Sequence, residues 1–481
     1  MKRIVIPLGI VLLALGVAAQ NTGYKINVQI KPLKKTWVYM GYYYGKMMPI
    51  GDSAFLDEQG RGVFQGKKPL PQGIYLLAIS KSQLLMEMLV GKKQVFTVIT
   101  DTSNPEALTK FVGSPENDQF RMYTAFVQAK GSAAELARAK LSKTTDPLEK
   151  VKLQATVDKN VKEMEGYRKK VMKEQPGSLL SAIFGSMQDI VIPAPLKTPK
   201  NYQDTLATYY YSRQHFWDGV NFMDGRLVRT PVFEKKLNYY LNAYVQPEGD
   251  SIIHEFNWMM ALGRNDPEMF QYLIGYFVDN YFNPKIMGQD KVFVHVYEKY
   301  FATKQVTWLT EKQMKQIEDR AMMLIANQLG EPAADMDFVD TAGKTKSLYS
   351  QGGTFTVVVF WDPNCGHCKT EIPRLDSLYR ASWKNKDVNI YAVMTAETSI
   401  ADWKPFIDKN AVGWVHVHQT PAMKAEEEKN KLPNYHQLYD VRTTPTMFLI
   451  DKQKRIIAKN LSLEDLNKVL EQKIKQMKPA N

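Results

Sequence analysis

Only two of the 481 residues are cysteine, Cys365 and Cys368. A cysteine-based zinc site wants four ligands, and His367, lying between the two thiols, cannot complete a tetrahedral set with both. A framework of structural disulfides is excluded too, because no cysteine is left over to build one. Long apolar runs are equally scarce. After residue 19 no stretch approaches the 18 or so apolar residues of a membrane-spanning helix. There is no concentrated block of basic residues, although the formal net charge is +13. The lysines are scattered beside glutamates, as in Glu149-Lys150 and Glu163 to Lys170, which is the pattern of solvated helix faces. With no nucleic-acid motif beside them, nucleic acid is not an expected partner, and the charge implies a mild preference for acidic partners or surfaces. No repeat of fixed period is present, so an irregular helical bundle is expected rather than a solenoid.

What is present falls into four stretches. Met1 to Ala19 carries Lys2 and Arg3, then an apolar run, then Val17-Ala18-Ala19 before Gln20. This is the layout of a secretory signal cleaved after Ala19. With no cysteine near the cut, a lipid anchor on cysteine is not expected, nor is stable membrane insertion after cleavage. Residues 20–113 read as β: Tyr24, Ile26, Val28 and Ile30 alternate with polar residues. Further short strands are separated by Gly51-Asp52, Gln59-Gly60, Pro71-Gln72-Gly73 and Gly91, predicting an antiparallel sandwich or barrel. Tyr42-Tyr43-Tyr44 alternate faces in a strand, which favours packing over a stacking platform. Residues 114–330 read as helical, with helices opening at Ser114-Pro115, Asp146-Pro147, Thr230-Pro231, Asp266-Pro267 and Thr310-Glu311. His215, His254 and His295 are isolated there and read as packed or surface residues. Glu331-Pro332 to Met336 reads as a linker, and residues 331–481 form the last domain, of α/β type.

The chemistry is concentrated in that last domain. Thr354 to Phe360 is a β-branched, apolar run, which predicts a buried strand. Trp361-Asp362-Pro363-Asn364-Cys365-Gly366-His367-Cys368-Lys369 follows, and from Thr370 to Ser382 the apolar residues Ile372, Leu375, Leu378 and Tyr379 fall on one helix face. A strand, a tight turn and a CxxC opening a helix is the thioredoxin active-site arrangement. Unpaired N–H groups and the macrodipole at the helix start favour a thiolate at Cys365. Cys368, one turn inside, is placed to close a Cys365–Cys368 disulfide or to resolve a mixed one. His416 and His418 share one face of a strand and, with His436, are a weaker candidate for a metal site; exposed strand histidines are the default, and no metal or other cofactor is expected.

This domain resembles the TlpA/ResA-like exported bacterial thiol–disulfide oxidoreductases, over about a third of the chain. The resemblance rests on the WxxxCxxCK core, on Glu371 and Pro373 in Cys-Lys-Thr-Glu-Ile-Pro, and on Thr443-Thr444-Pro445-Thr446-Met447-Phe448-Leu449-Ile450-Asp451. It implies a cis Pro445 facing Cys365, with Thr444 offering backbone groups to an incoming chain. It also implies a functional acid at Glu371, and contacts to the substrate from Trp361, Gly366 and His367. The Cys-Gly-His-Cys tetrad is similar to that of protein disulfide isomerases. One departure is Val359, where other thioredoxins carry a buried acid. The β and helical regions are similar in order to domains, without assigned function, that precede such thioredoxin domains in exported bacterial proteins. The resulting expectation is a periplasmic enzyme exchanging thiols and disulfides with protein partners and with a membrane or periplasmic redox donor. Its rival is a partner-binding protein whose thioredoxin domain is a redox-sensitive clasp.

Overall fold

The computed structural model describes residues 23–410 and 413–477. The expected signal segment, Met1 to Ala19, lies outside the described residues. By packing, the chain forms two compact units. One runs to Tyr240 and takes in Leu262–Met269; the other comprises Leu241–Ala261 and the chain from Phe270 onward.

In the first unit two four-stranded sheets enclose one core. Tyr24–Lys31 pairs with Arg61–Gly66 and with Val95–Asp101, and Lys110–Val112 closes that sheet. In the second sheet Trp37–Tyr42 lies between Ile50–Phe55 and Gly73–Ser80, with Gln83–Val90 outermost. The alternation read from Tyr24 onward is real: Ile26, Val28 and Ile30 point inward against Val38, Met40 and Leu77 of the other sheet. Two details depart from expectation. Tyr24–Lys31 and Val95–Asp101 run parallel, not antiparallel; between them the chain crosses to the second sheet through Gly73–Ser80 and Gln83–Val90 before returning. Gly51-Asp52 is not a turn but part of the edge strand Ile50–Phe55, where Asp52 accepts a 2.6 Å hydrogen bond from the Tyr24 hydroxyl. Helices Pro115–Leu141 and Pro147–Glu174 follow, and Asp146 caps the second by accepting from the Leu148 N–H.

The second unit carries helices Phe270–Tyr281 (the part of Pro267–Tyr281 beyond Met269), Asp290–Val296 and Glu311–Ile325 and a seven-stranded sheet. In its interior Phe355–Trp361 lies between the parallel strand Val388–Met394 and the antiparallel strand Thr446–Asp451. All seven residues of Phe355–Trp361 are buried. Successive side chains enter opposite layers. Val357, Val359 and Trp361 pack with Cys368, Ile372 and Leu375, while Val358 and Phe360 pack with Tyr391, Tyr435 and Tyr439. At about 1.5–3 kcal/mol per fully buried apolar side chain, this strand is the rigid post from which the redox turn projects. The N-terminal β, central helical and C-terminal thioredoxin-like α/β organisation is therefore the observed fold class.

The stretch expected to be a linker is not loose. Ala333 and Met336 are buried, the Ala333 N–H donates to the Lys454 carbonyl, and the Glu331 carbonyl accepts from the Ile456 N–H. These residues extend the pairing of the sheet's outer strand, so the helices before them are held against the thioredoxin-like part of the same unit.

Candidate active site

The turn after Trp361 is closed by its own backbone. The Cys365 N–H donates to the Asp362 carbonyl at 3.1 Å and the Asn364 N–H to the Asp362 carboxylate at 2.8 Å. Cys365 then becomes the N-cap of helix Gly366–Ala381, placing its sulfur over the unpaired N–H groups of the first turn. The Cys365 thiol donates to the Thr444 carbonyl at 3.3 Å, and Thr444–Pro445 is a cis peptide. Cys365 and Cys368 are both free thiols, the first half-buried and the second fully buried.

Their environments push them apart. Burial raises the Cys365 thiol, and donating to the Thr444 carbonyl also favours its neutral form. The Thr444 side chain, the N–H groups of Cys368 and His367 and the Cys368 thiol outweigh this, so Cys365 lies below the ordinary thiol value. Burial pushes the Cys368 thiol up to about 12, and neighbouring Cys365 adds to the shift. Cys365 is thus the accessible, more readily ionised sulfur. In a titration of alkylation rate we expect Cys365 to label with a midpoint below that of an unperturbed thiol, with Cys368 unlabelled across the same range. Peptide mapping that found Cys368 modified first would reverse the assignment.

The other anticipated residues divide. Gly366 and His367 are exposed beside Cys365. A Cβ added at Gly366 would meet nothing within 4 Å, so the surface is open there. What His367 gives Cys365 is its backbone N–H. Thr444 and Pro445 are half-exposed on the facing loop. Trp361 is a correction: as a substrate contact it would have to be reachable, but it is 0% exposed, with its ring 5.1 Å from Phe406 and 6.0 Å from His416. The cause is strand alternation, which turns Trp361 into the layer beneath the helix. Glu371 lies on the same helix as the thiols with 23% of its side chain exposed, and its carboxylate accepts from Arg374 at 2.5 Å. Arg374 also reaches Glu464.

Asn364 escaped the sequence reading. Its side-chain amide donates to Ser399 at 3.1 Å and to Asp402 at 2.9 Å, tying the redox turn to helix Ile400–Asn410. The only signal was an asparagine in a turn, and its partners lie 35 and 38 residues away. His416, His418 and His436 do not converge. His416 and His436 stack on Trp414 and Tyr435, and His418 meets Trp403 edge-on. Among the described residues no three His, Cys, Asp or Glu side chains are grouped to hold a metal ion, and no helix is long and apolar enough to cross a membrane.

Residues 329–459 match the AhpC/TSA family. Residues 24–120 and 149–324 match two families described as domains of unknown function, DUF4369 and DUF5106. Over 152 residues the chain is 30% identical to thiol-disulfide oxidoreductase ResA of Bacillus thuringiensis subsp. konkukian, covering 32% of this chain and 80% of the relative. The ResA of Bacillus anthracis is 28% identical over the same length and coverage. A solved domain of a possible thiol-disulfide isomerase from Cytophaga hutchinsonii is 31% identical, covering 32% of this chain and 97% of that one, with a TM-score of 0.27.

Proposed function

We propose that this chain, which belongs to the ResA family of thiol–disulfide oxidoreductases, exchanges its Cys365–Cys368 pair with disulfides of protein partners outside the cytoplasm. The observation that carries this reading is the division between the sulfurs: one reachable and lowered, the other buried and raised, within one helical turn. The Cys365 thiolate attacks one sulfur of the partner disulfide, the partner's S–S bond breaks, and the released thiolate takes a proton. Cys368, deprotonated in its turn, attacks the Cys365 sulfur, the mixed disulfide breaks, and the partner's second sulfur leaves as a thiolate that takes a proton. The partner leaves with both thiols reduced, and this chain keeps the electron-poor disulfide. A dithiol donor must then return the electron pair. No other oxidant or reductant enters that balance. The open surface at Gly366 and His367 and the backbone of Thr444 are where an extended partner chain would lie, paired as an added strand. Repeated turnover by the full chain of a small disulfide, with a dithiol as donor, tests the enzyme against a clasp; a single round and no more would favour the clasp.

Export rests on Lys2-Arg3, the apolar run to Ala19 and the small residues before Gln20. Protein recovered from the native host should begin at Gln20; an intact Met1 in a membrane fraction would show an anchor instead.

Resolution needs a base. Two influences that raise Cys368, the hydrogen bond and the charge of Cys365, lapse once that sulfur is in a mixed disulfide, but burial remains. Glu371 follows Cys368 by three residues, a neighbouring position on the helix surface, and we assign it this proton after it parts from Arg374. Glu371→Gln should leave the first attack nearly unchanged and slow release by about 10²-fold, at the low end for general base catalysis because Arg374 competes for the carboxylate. Stopped-flow with acid-quenched mass analysis reads both steps, and release at the wild-type rate would make Glu371 a surface carboxylate.

A further inference from the structure

Beside the redox centre, within the second unit, is a groove of about 460 Å³. One wall is the loop Asn283 to Met287, from the helical region; the other is Thr443 to Met447 with Asn460 to Ser462, from the thioredoxin-like part. Pro445 lines it, and the preceding carbonyl is the one that holds Cys365. The walls are fastened to each other. Arg442 donates to the Asn283 side chain at 2.7 Å, and the Met287 sulfur accepts from the Lys459 N–H at 3.3 Å.

The lining is biased in charge. Lys285, Arg320, Arg442 and Lys459 face only Asp290 and Asp440. Both carboxylates are already engaged, Asp290 by Lys459 and Asp440 by Arg320 and Arg442. Lys285 is exposed and forms no ion pair among the described residues, and its neighbour Ile286 is 48% exposed. A cation with no counter-charge and an apolar side chain thus stand together on a wall that ordinary thioredoxin architecture does not supply.

We propose that the Asn283–Met287 loop is a specificity wall, and that it selects disulfide partners whose cysteine lies in an extended acidic segment, with Lys285 meeting the acid. The proposal rests on the redox reading above. It makes the helical region part of substrate recognition, and the surplus of positive charge over the whole chain acts in the same sense.

The test uses the full chain and two disulfide-bridged peptides of matched length, one with aspartates flanking the cysteine and one with lysines. Wild-type protein should reduce the acidic peptide with the higher kcat/KM, and the preference should shrink as salt rises. Lys285→Gln should reduce the acidic-to-basic ratio, and Lys285→Glu should lower it further, by about fivefold overall, the scale of one exposed ion pair lost and one repulsion gained. A wild-type ratio near one, or a ratio unmoved by Lys285→Glu, overturns the wall. Wild-type turnover of an uncharged small disulfide is read separately: its failure overturns the redox reading and not merely the specificity.

Discussion

Cys368→Ser is expected to stop turnover and to accumulate a covalent complex through Cys365, with multiple-turnover exchange falling by at least about 10³-fold. The first half of the reaction needs only the sulfur at the helix start, and none of the backbone donors around Cys365 is removed by the change. The second half needs a thiolate at 368, and a serine hydroxyl does not attack a disulfide at neutral pH. The complex therefore waits for an outside thiol. Cys365→Ser should be just as inactive but should trap nothing, because the remaining sulfur is 0% exposed and burial, the largest cause of its raised thiol, persists in the variant. Non-reducing electrophoresis and intact mass after mixing with a peptide disulfide distinguish the two variants. Adducts on Cys365→Ser, or wild-type turnover by Cys368→Ser, would exchange the roles given to the two sulfurs.

The redox half of the site was legible because it is local. Strand, turn and CxxC are contiguous, whereas Thr444-Pro445, 79 residues from Cys365, was placed by the family resemblance; it precedes a strand that pairs with Phe355–Trp361. Periodicity located Ile26, Val28 and Ile30 for the same reason. What was hidden depends on partners far along the chain. Nothing local to Gly51-Asp52 shows that it belongs to an edge strand paired with Trp37–Tyr42. Trp361 read as a contact because it borders the motif, whereas the pleat decides which way it faces. The helical region looked like a separate body ending in a linker; its last helices instead pack with the thioredoxin-like part through charges that read, in sequence, as solvated. Lys459 and Asp290 are 169 residues apart and meet at 2.7 Å.

That pair should carry the largest stability effect outside the apolar core. The Lys459 ammonium has three N–H donors and three acceptors: Asp290, the Asn327 carbonyl and the Asn327 side-chain oxygen, each at 2.7 Å. Burial pulls Lys459 below the ordinary lysine value, while Asp290 pushes it back. The three bonds use every donor of the charged form, so the proton is held. The side chains of Lys459 and Asp290 are only 4% and 5% exposed. In Lys459→Met the carboxylate keeps its bond from Gln328 and loses its counter-charge, and buried Asn327 loses its donor. A buried charge left unpaired costs about 3–5 kcal/mol. Asp290→Asn should cost a similar amount by stranding the ammonium. Lys459→Met with Asp290→Leu should regain much of the loss, since replacing both charges by apolar groups is close to neutral. Labelling of Cys368 in urea, in a Cys365→Ser background, reports this unit alone, because that thiol becomes reachable only when the unit opens. The midpoint should fall in both single variants and recover in the pair. Equal midpoints for Lys459→Met and wild type would mean that the helical segment is held in place by apolar contacts such as Met287, with the charges contributing nothing measurable.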